Sequence, residues 1–167
     1  MKTIKMKTSL LSVIFGCLLS FITPVSAQDV AQYFSRIPRQ VFTEGTTREL
    51  VKLARGDQGV VDTKNGYFRL DGDGAQVSLQ VALFRFTDRS PLLVVAWGEL
   101  EEPDFTHVTL FRETGGKMVV ADRKILPVAD SPGLRFELPR HGRTVIVRDA
   151  AGKTVSKWTW SGEEFLR

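Results

Sequence analysis

The stretch from Val60 to Gly98, VVDTKNGYFRLDGDGAQVSLQVALFRFTDRSPLLVVAWG, constrains the fold more than any other part of the chain. Apolar and polar residues alternate in it with the two-residue period of a half-buried strand, broken by three clusters of turn-forming residues. It therefore reads as four consecutive antiparallel strands. Asn65-Gly66 suits a two-residue type I′ hairpin, because both central positions of that turn need positive φ. Such a turn sets Val61 opposite Leu70 and Thr63 opposite Phe68, with Asp62 facing Arg69 and Lys64 facing Tyr67 on the other side. A four-residue loop at Asp71-Gly72-Asp73-Gly74 keeps the apolar face, bringing Leu70 to Ala75 and Phe68 to Val77. Beyond Gln80 both faces become apolar. A four-residue turn at Thr87-Asp88-Arg89-Ser90 then pairs Leu83 with Val94, Phe84 with Leu93 and Ala82 with Val95. A strand apolar on both sides must be covered on both sides, which places this region in the middle of the domain.

The N-terminus predicts export. MKTIKMK is a basic segment, TSLLSVIFGCLLSFI is an apolar run short for a bilayer span, and Val25-Ser26-Ala27 supplies small residues suited to cleavage before Gln28. Residues 1–27 are thus expected to be a signal peptide, leaving no stable membrane span after its removal. Removing Lys2, Lys5 and Lys7 from 23 basic residues leaves 20 against 19 acidic ones, so the charge balance gives no footprint for nucleic acid. Cys17 is the sole cysteine, so the mature chain is expected to hold itself together by packing alone, without disulfide, thiol nucleophile or thiolate metal ligand. An exported chain of this kind suits a bacterial envelope, periplasmic or secreted.

Residues 28–57 form an N-terminal helical segment. Asp29 can cap a helix over VAQYFSRI, in which Tyr33 and Phe34 are expected to pack on the sheet, and Pro38 stops it. Thr46 and Glu49 stand at capping-box spacing ahead of Leu50, Val51 and Leu53, with Gly56 at the end of the second helix. Residues 58–167 form the antiparallel β domain, one folded unit with 28–57. After the acidic loop GELEEPDFTH come THVTLFRE, a Gly115-Gly116 turn, KMVVAD, and a final hairpin series in which LRFELP, RTVIVRD and KTVSKWTW alternate cleanly. The fold class is mainly β, an antiparallel meander built as a sandwich, open barrel or propeller-like stack, with one or two short N-terminal helices.

Candidate sites are few. Trp158 and Trp160 share one face of the last strand and, with Tyr67, could form an aromatic surface for a glycan or protein; buried tryptophans closing the sheet are the more economical reading. Arg140, His141 and Arg143 make a basic hairpin tip able to meet an acidic partner, or a solvated turn. Asp71 and Asp73 resemble the start of a calcium loop, but the later ligands of that motif are missing where a strand begins, so a hairpin turn is expected and no metal or other cofactor. His107 lies beside the acidic loop, where Asp104 or Glu102 could pair with it for acid–base chemistry; no GxSxG, HExxH or SxxK accompanies it.

FSRIP followed by a capped helix, DTKNGYFRL, the VALFRF strand and the closing KWTWSGEEF together resemble small exported bacterial proteins classed as domains of unknown function. The resemblance implies an exported β domain and carries over no catalytic residue. The expected function is a non-enzymatic envelope protein that binds a macromolecular partner, protein or glycan, through strand faces or hairpin tips. The alternatives are a periplasmic inhibitor of a secreted hydrolase, and a hydrolase using His107 with nearby carboxylates.

Overall fold

A computed structural model describes residues 29–38, 41, 47–72, 78–98 and 105–167; the expected signal peptide, Thr46, Asp73 and the acidic run 99–104 lie outside these. The mainly β reading holds, as a sandwich. Among the described residues ten strands form two antiparallel meanders. The first sheet runs in chain order through β1 (Gly59–Asp62), β2 (Tyr67–Leu70), β3 (Leu79–Arg85), β4 (Pro91–Trp97), β5 (His107–Thr114) and β6 (Lys117–Val120). The second is β7 (Arg135–Glu137), β8 (Thr144–Arg148), β9 (Thr154–Trp160) and β10 (Phe165–Leu166). Helices α1 (Val30–Phe34) and α2 (Thr47–Ala54) cover one face of the first sheet, and the second sheet packs on the other. Among the described residues no helix is long and apolar enough to cross a membrane.

The six-stranded sheet is therefore the middle layer. On its helix side Phe68, Leu70, Leu79, Val81, Leu93 and Phe111 meet Val30, Phe34 and Leu50, with Phe34 set edge-on to Phe68 at 4.9 Å. On its other side Phe84, Leu92, Val94 and Leu110 meet Phe136, Val145, Val147, Trp160 and Phe165. Each fully buried aliphatic or aromatic side chain contributes about 1.5–3 kcal/mol, so both layers matter. Asp29 caps α1 as expected, its carboxylate accepting from the Gln32 N–H at 2.8 Å. Tyr33 and Phe34 are buried on the sheet; the Arg85 guanidinium lies over the Tyr33 ring at 5.2 Å and donates to its hydroxyl at 3.2 Å.

All three registers in the Val60–Gly98 block differ from the sequence expectation. Asp62 pairs with Tyr67, so the first loop is the four residues 63–66 rather than Asn65-Gly66 alone. Gly66 has φ 65° but Asn65 is not left-handed, because the Asp62 carboxylate accepts both its backbone N–H, at 3.2 Å, and its side-chain amide, at 2.9 Å. Val61 consequently faces Phe68, a shift of two residues that leaves the apolar face intact. Asp62 does not face Arg69; it binds Arg140, while Arg69 pairs with Asp71. Across the second loop Phe68 meets Val81 and Leu70 meets Leu79, a shift of four, again on the same face.

The third shift is by one residue. Phe86 donates to the Ser90 carbonyl and accepts from the Arg89 N–H, both at 2.9 Å, so the loop is Thr87-Asp88-Arg89, a type I turn ended by a left-handed Arg89 with φ 68°. The Asp88 carboxylate fixes that geometry by accepting from the Ser90 N–H at 2.8 Å and its hydroxyl at 2.6 Å. Leu83 then faces Leu93, Phe84 faces Leu92 and Ala82 faces Val94, which exchanges the two faces of β4. β4 tolerates the exchange because Pro91 to Ala96 are buried on both sides. Gly115-Gly116 forms a type I′ turn, with φ of 57° and 79°.

Candidate functional site

β7 and β8 are joined by residues 138–143, and this loop does not stay on its own sheet. Leu138 donates its N–H to the Gln80 side-chain oxygen at 2.9 Å, a buried bond that ties the loop to β3. Two residues later Arg140 Nε donates to Asp62 Oδ2 at 2.9 Å, tying it to the end of β1. Gln80 is only 4% exposed and stands where an otherwise apolar strand turns polar for one residue. Its carbonyl oxygen is what satisfies the loop's N–H inside the sandwich.

The crossing leaves an open groove of about 620 Å³ between the sheets, lined by Tyr67, Arg69, Gln80, Glu137, Arg140, His141, Thr144, Ile146 and Lys157. Three guanidinium or ammonium groups and an imidazole surround it with one carboxylate among its lining residues, Arg69 being paired with Asp71 and Arg140 with Asp62 at its edge. Glu137 is itself neutralised by Arg148, which donates to it at 2.8 and 3.1 Å. Burial raises the pKa of the Tyr67 phenol, with Arg69 opposing, so it stays a neutral hydrogen-bonding group at ordinary pH. Thr144 shares a hydroxyl hydrogen bond with Thr159 at 3.0 Å. The arrangement can hold an acceptor-rich, negatively charged group.

The residues singled out from sequence are partly brought together. Tyr67, Arg140 and His141 line the one groove, and Arg143 lies exposed at the same tip without lining it. Trp158 and Trp160 do share a face, but it is the interior one, because they alternate with the outward Lys157 and Thr159, Trp158 pairing with the core-facing Val145 of β8 and Trp160 with the buried Phe165 of β10. Trp160 is 3% exposed, set among Phe84, Phe86 and Phe165, with its indole N–H donated to the Arg85 carbonyl at 2.8 Å. Trp158 is half-buried against the same core and donates to the Ser156 hydroxyl at 2.9 Å. With Tyr67 6% exposed as well, the three form no aromatic surface, and the more economical reading, tryptophans that close the sheet, describes Trp160. Asp71 is bound to Arg69 at 2.5 Å, Asp73 lies outside the described residues, and no group of three or more metal-ligating side chains occurs among those described.

His107 opens β5 and stacks on Trp97 with ring centres 4.4 Å apart and planes 23° apart, at the mouth of a second cleft of about 610 Å³. Its suggested partners, Asp104 and Glu102, lie outside the described residues. The indole Nε1 of Trp97 is buried with no hydrogen-bond partner.

Asp62, Arg69, Gln80, Glu137 and Lys157 escaped the sequence reading of the site. Only Gln80 carried a signal, as a lone amide inside the run LQVALF. Two expectations follow from the loop's anchors. Gln80→Leu leaves the Leu138 N–H buried and unpaired, and its cost by urea unfolding is expected at about 1–3 kcal/mol. The Asn65 amide first, then Arg140, hold the Asp62 pKa down to about 2 from the usual 3.8. Because the folded value lies below the unfolded one, this contribution is complete above pH 3.8 and disappears as pH falls through about 2. Amide exchange of residues 138–143 should accordingly accelerate across that window, and Asp62→Asn should flatten the acid dependence.

No family model, no curated protein and no solved structure matches this chain.

Proposed function

We propose that the protein is an exported, non-enzymatic envelope protein that binds a macromolecular partner, taking an acidic segment of that partner into the groove at the β7–β8 tip. The observation that carries the reading is the convergence of Arg69, Arg140, His141 and Lys157 on one opening, where Glu137 is held by Arg148, Arg69 and Arg140 keep donors beyond the single bonds to Asp71 and Asp62, and Lys157 enters none of the ion pairs among the described residues. Positive groups gathered around a concave, partly desolvated surface favour a carboxylate-bearing segment and steer its approach. Export rests on the composition of residues 1–27 and on the resemblance to small exported bacterial proteins.

The test is capture from envelope extract on immobilised protein, wild type beside Arg140→Gln/His141→Glu. Glutamine retains a donor for Asp62, so the loop stays anchored while the groove loses its charge. A specific partner should be retained by the wild type, more strongly at low than at physiological salt, and reduced about tenfold or more by the variant. Recovery of no specific partner at either salt concentration, or equal recovery by both proteins, removes the reading.

A further inference from the structure

Each sheet ends in two edge strands, and an edge presents backbone N–H and C=O groups that another strand can pair with. Three of the four edges among the described residues are guarded. A Cβ on Gly59 would lie 2.9 Å from the Ala54 Cα, so the end of α2 crowds β1. β7 is flanked by the charges of Arg135 and Glu137, and its Phe136 N–H is already donated to the Phe105 carbonyl at 2.8 Å. β10 is only two residues long. β6 is the exception. It closes the six-stranded sheet with no proline, no bulge and a single charge, Lys117, at its hairpin end.

The ladder fixes which backbone groups of β6 face outward. Ala121 donates to the Leu110 carbonyl at 2.8 Å, and the bonds between two antiparallel strands fall on alternate residues. Lys117 and Val119 therefore bond to β5, while the N–H and C=O of Met118 and Val120 point away from the sheet. Among the described residues no backbone group takes them up. The side chains are equally open to a strand. Val120, opposite Phe111 on the helix-covered side, is 60% exposed; Val119, opposite Arg112 on the other side, is 39% exposed.

We propose that β6 pairs with the β6 of a second copy, antiparallel about a two-fold axis at Val119, joining the two middle sheets into one. The strand itself selects this register. Centred on Val119, the pairing sets Met118 of each copy opposite Val120 of the other, so every outward group of both strands is bonded. An axis at Met118 would call on Gly116, whose carbonyl already accepts from Arg36, and an axis at Val120 would call on Asp122, which caps the 3-10 helix Arg123–Ile125. At the axis Val119 meets Val119, and each Val120 lies beside the Met118 of the other copy, extending the helix-side core. A foreign peptide could bond the same groups but would first have to be ordered, whereas a second copy brings an edge already extended. The pairing is isologous, so it uses up the edge on both copies and closes. A strip one strand deep falls short of the roughly 1,000 Å² that a lasting interface buries, which makes the dimer a reversible one. None of this depends on the groove having a partner.

The experiment oxidises protein bearing one cysteine, Val119→Cys or Val60→Cys, each combined with Cys17→Ser, both purified and within envelope extract. Directly opposed residues of a non-hydrogen-bonded pair stand about 4.5 Å apart at Cα, a span that a disulfide bridges. Val60 is as exposed as Val119 but lies on β1, so it reports collision alone. The homodimeric disulfide should form at least about tenfold faster at Val119 than at Val60, because pairing raises the local concentration of the second thiol. Adding Val120→Pro deletes an outward N–H and leaves the bonds to β5 in place, and should bring the Val119 rate down to that of Val60. In sedimentation equilibrium the wild type should dimerise reversibly, with Val119→Lys, which sets two ammonium groups face to face, raising Kd at least about tenfold and Val119→Thr leaving it within about twofold. Equal rates at Val119 and Val60, an undiminished rate with Val120→Pro, or Val119→Lys dimerising as the wild type does overturns the pairing. Cross-linking of Val119→Cys to a different polypeptide in the extract, without homodimer, assigns the edge to a foreign strand and likewise overturns it.

Discussion

Trp160→Ala is expected to lower the unfolding free energy by about 4 kcal/mol, read as a fall in the urea midpoint at unchanged slope. A domain of this size has about 5–15 kcal/mol to lose, so this one truncation should bring the protein near the edge of folding. The magnitude follows from position. Trp160 sits between the sheets with ring centres 6.0 Å from Phe84, 5.2 Å from Phe86 and 5.0 Å from Phe165, and its N–H bonds the Arg85 carbonyl across the sandwich. Phe84 in turn meets Phe165 edge-on at 5.1 Å, so a cavity here loosens the docking of β9 and β10 together. Trp160→Phe should cost less, about 1–2 kcal/mol, because the ring stack survives while the Arg85 carbonyl loses its donor. A cost below about 1 kcal/mol for the alanine variant would return Trp160 to a surface role.

Gly59→Ala should cost about 3 kcal/mol, the upper part of the range for a forced overlap in a packed site. A Cβ at Gly59 would lie 2.2 Å from the Arg69 carbonyl oxygen and 2.9 Å from the Ala54 Cα. Both neighbours are backbone, one in β2 and one at the end of α2, so no side-chain rotation relieves the contact. The glycine is needed there for close approach and not for its φ. Gly115 is the contrasting case: its φ is 57° and a Cβ added there would meet nothing within 4 Å, so Gly115→Ala should cost only the left-handed strain, about 1 kcal/mol. Thermal melts of the two variants distinguish the mechanisms, since Gly115→Asn should recover part of its loss and Gly59→Asn should not.

Much of the architecture was legible in the chain. The alternation in VVDTKNGYFRL and RTVIVRD, the turn residues between strands and the capping Asp29 are local signals, and the elements they announce are present. The registers were less legible for a definite reason. A pattern of period two is unchanged by a shift of two or four residues, which is why Val61 and Phe68 keep their face although their partners differ. In β4 even a shift of one leaves no trace, since PLLVVA is apolar in both phases. There the decision fell to a single left-handed residue, Arg89, with the Asp88 carboxylate holding the turn.

What the sequence by itself determined is the class of fold: strand-forming alternation, punctuated by turns, with a doubly apolar middle that had to be enclosed. The tertiary structure decided which face of the KTVSKWTW strand turned inward, because Trp158 and Trp160 sit in phase with each other whichever side is chosen. It also made the groove, through contacts between residues far apart in the chain, Gln80 with Leu138 and Asp62 with Arg140. Local patterning records how a segment partitions between water and an interior. It holds no record of which distant segment completes that interior, and the charged groups of the groove meet only after two separately patterned sheets have packed together.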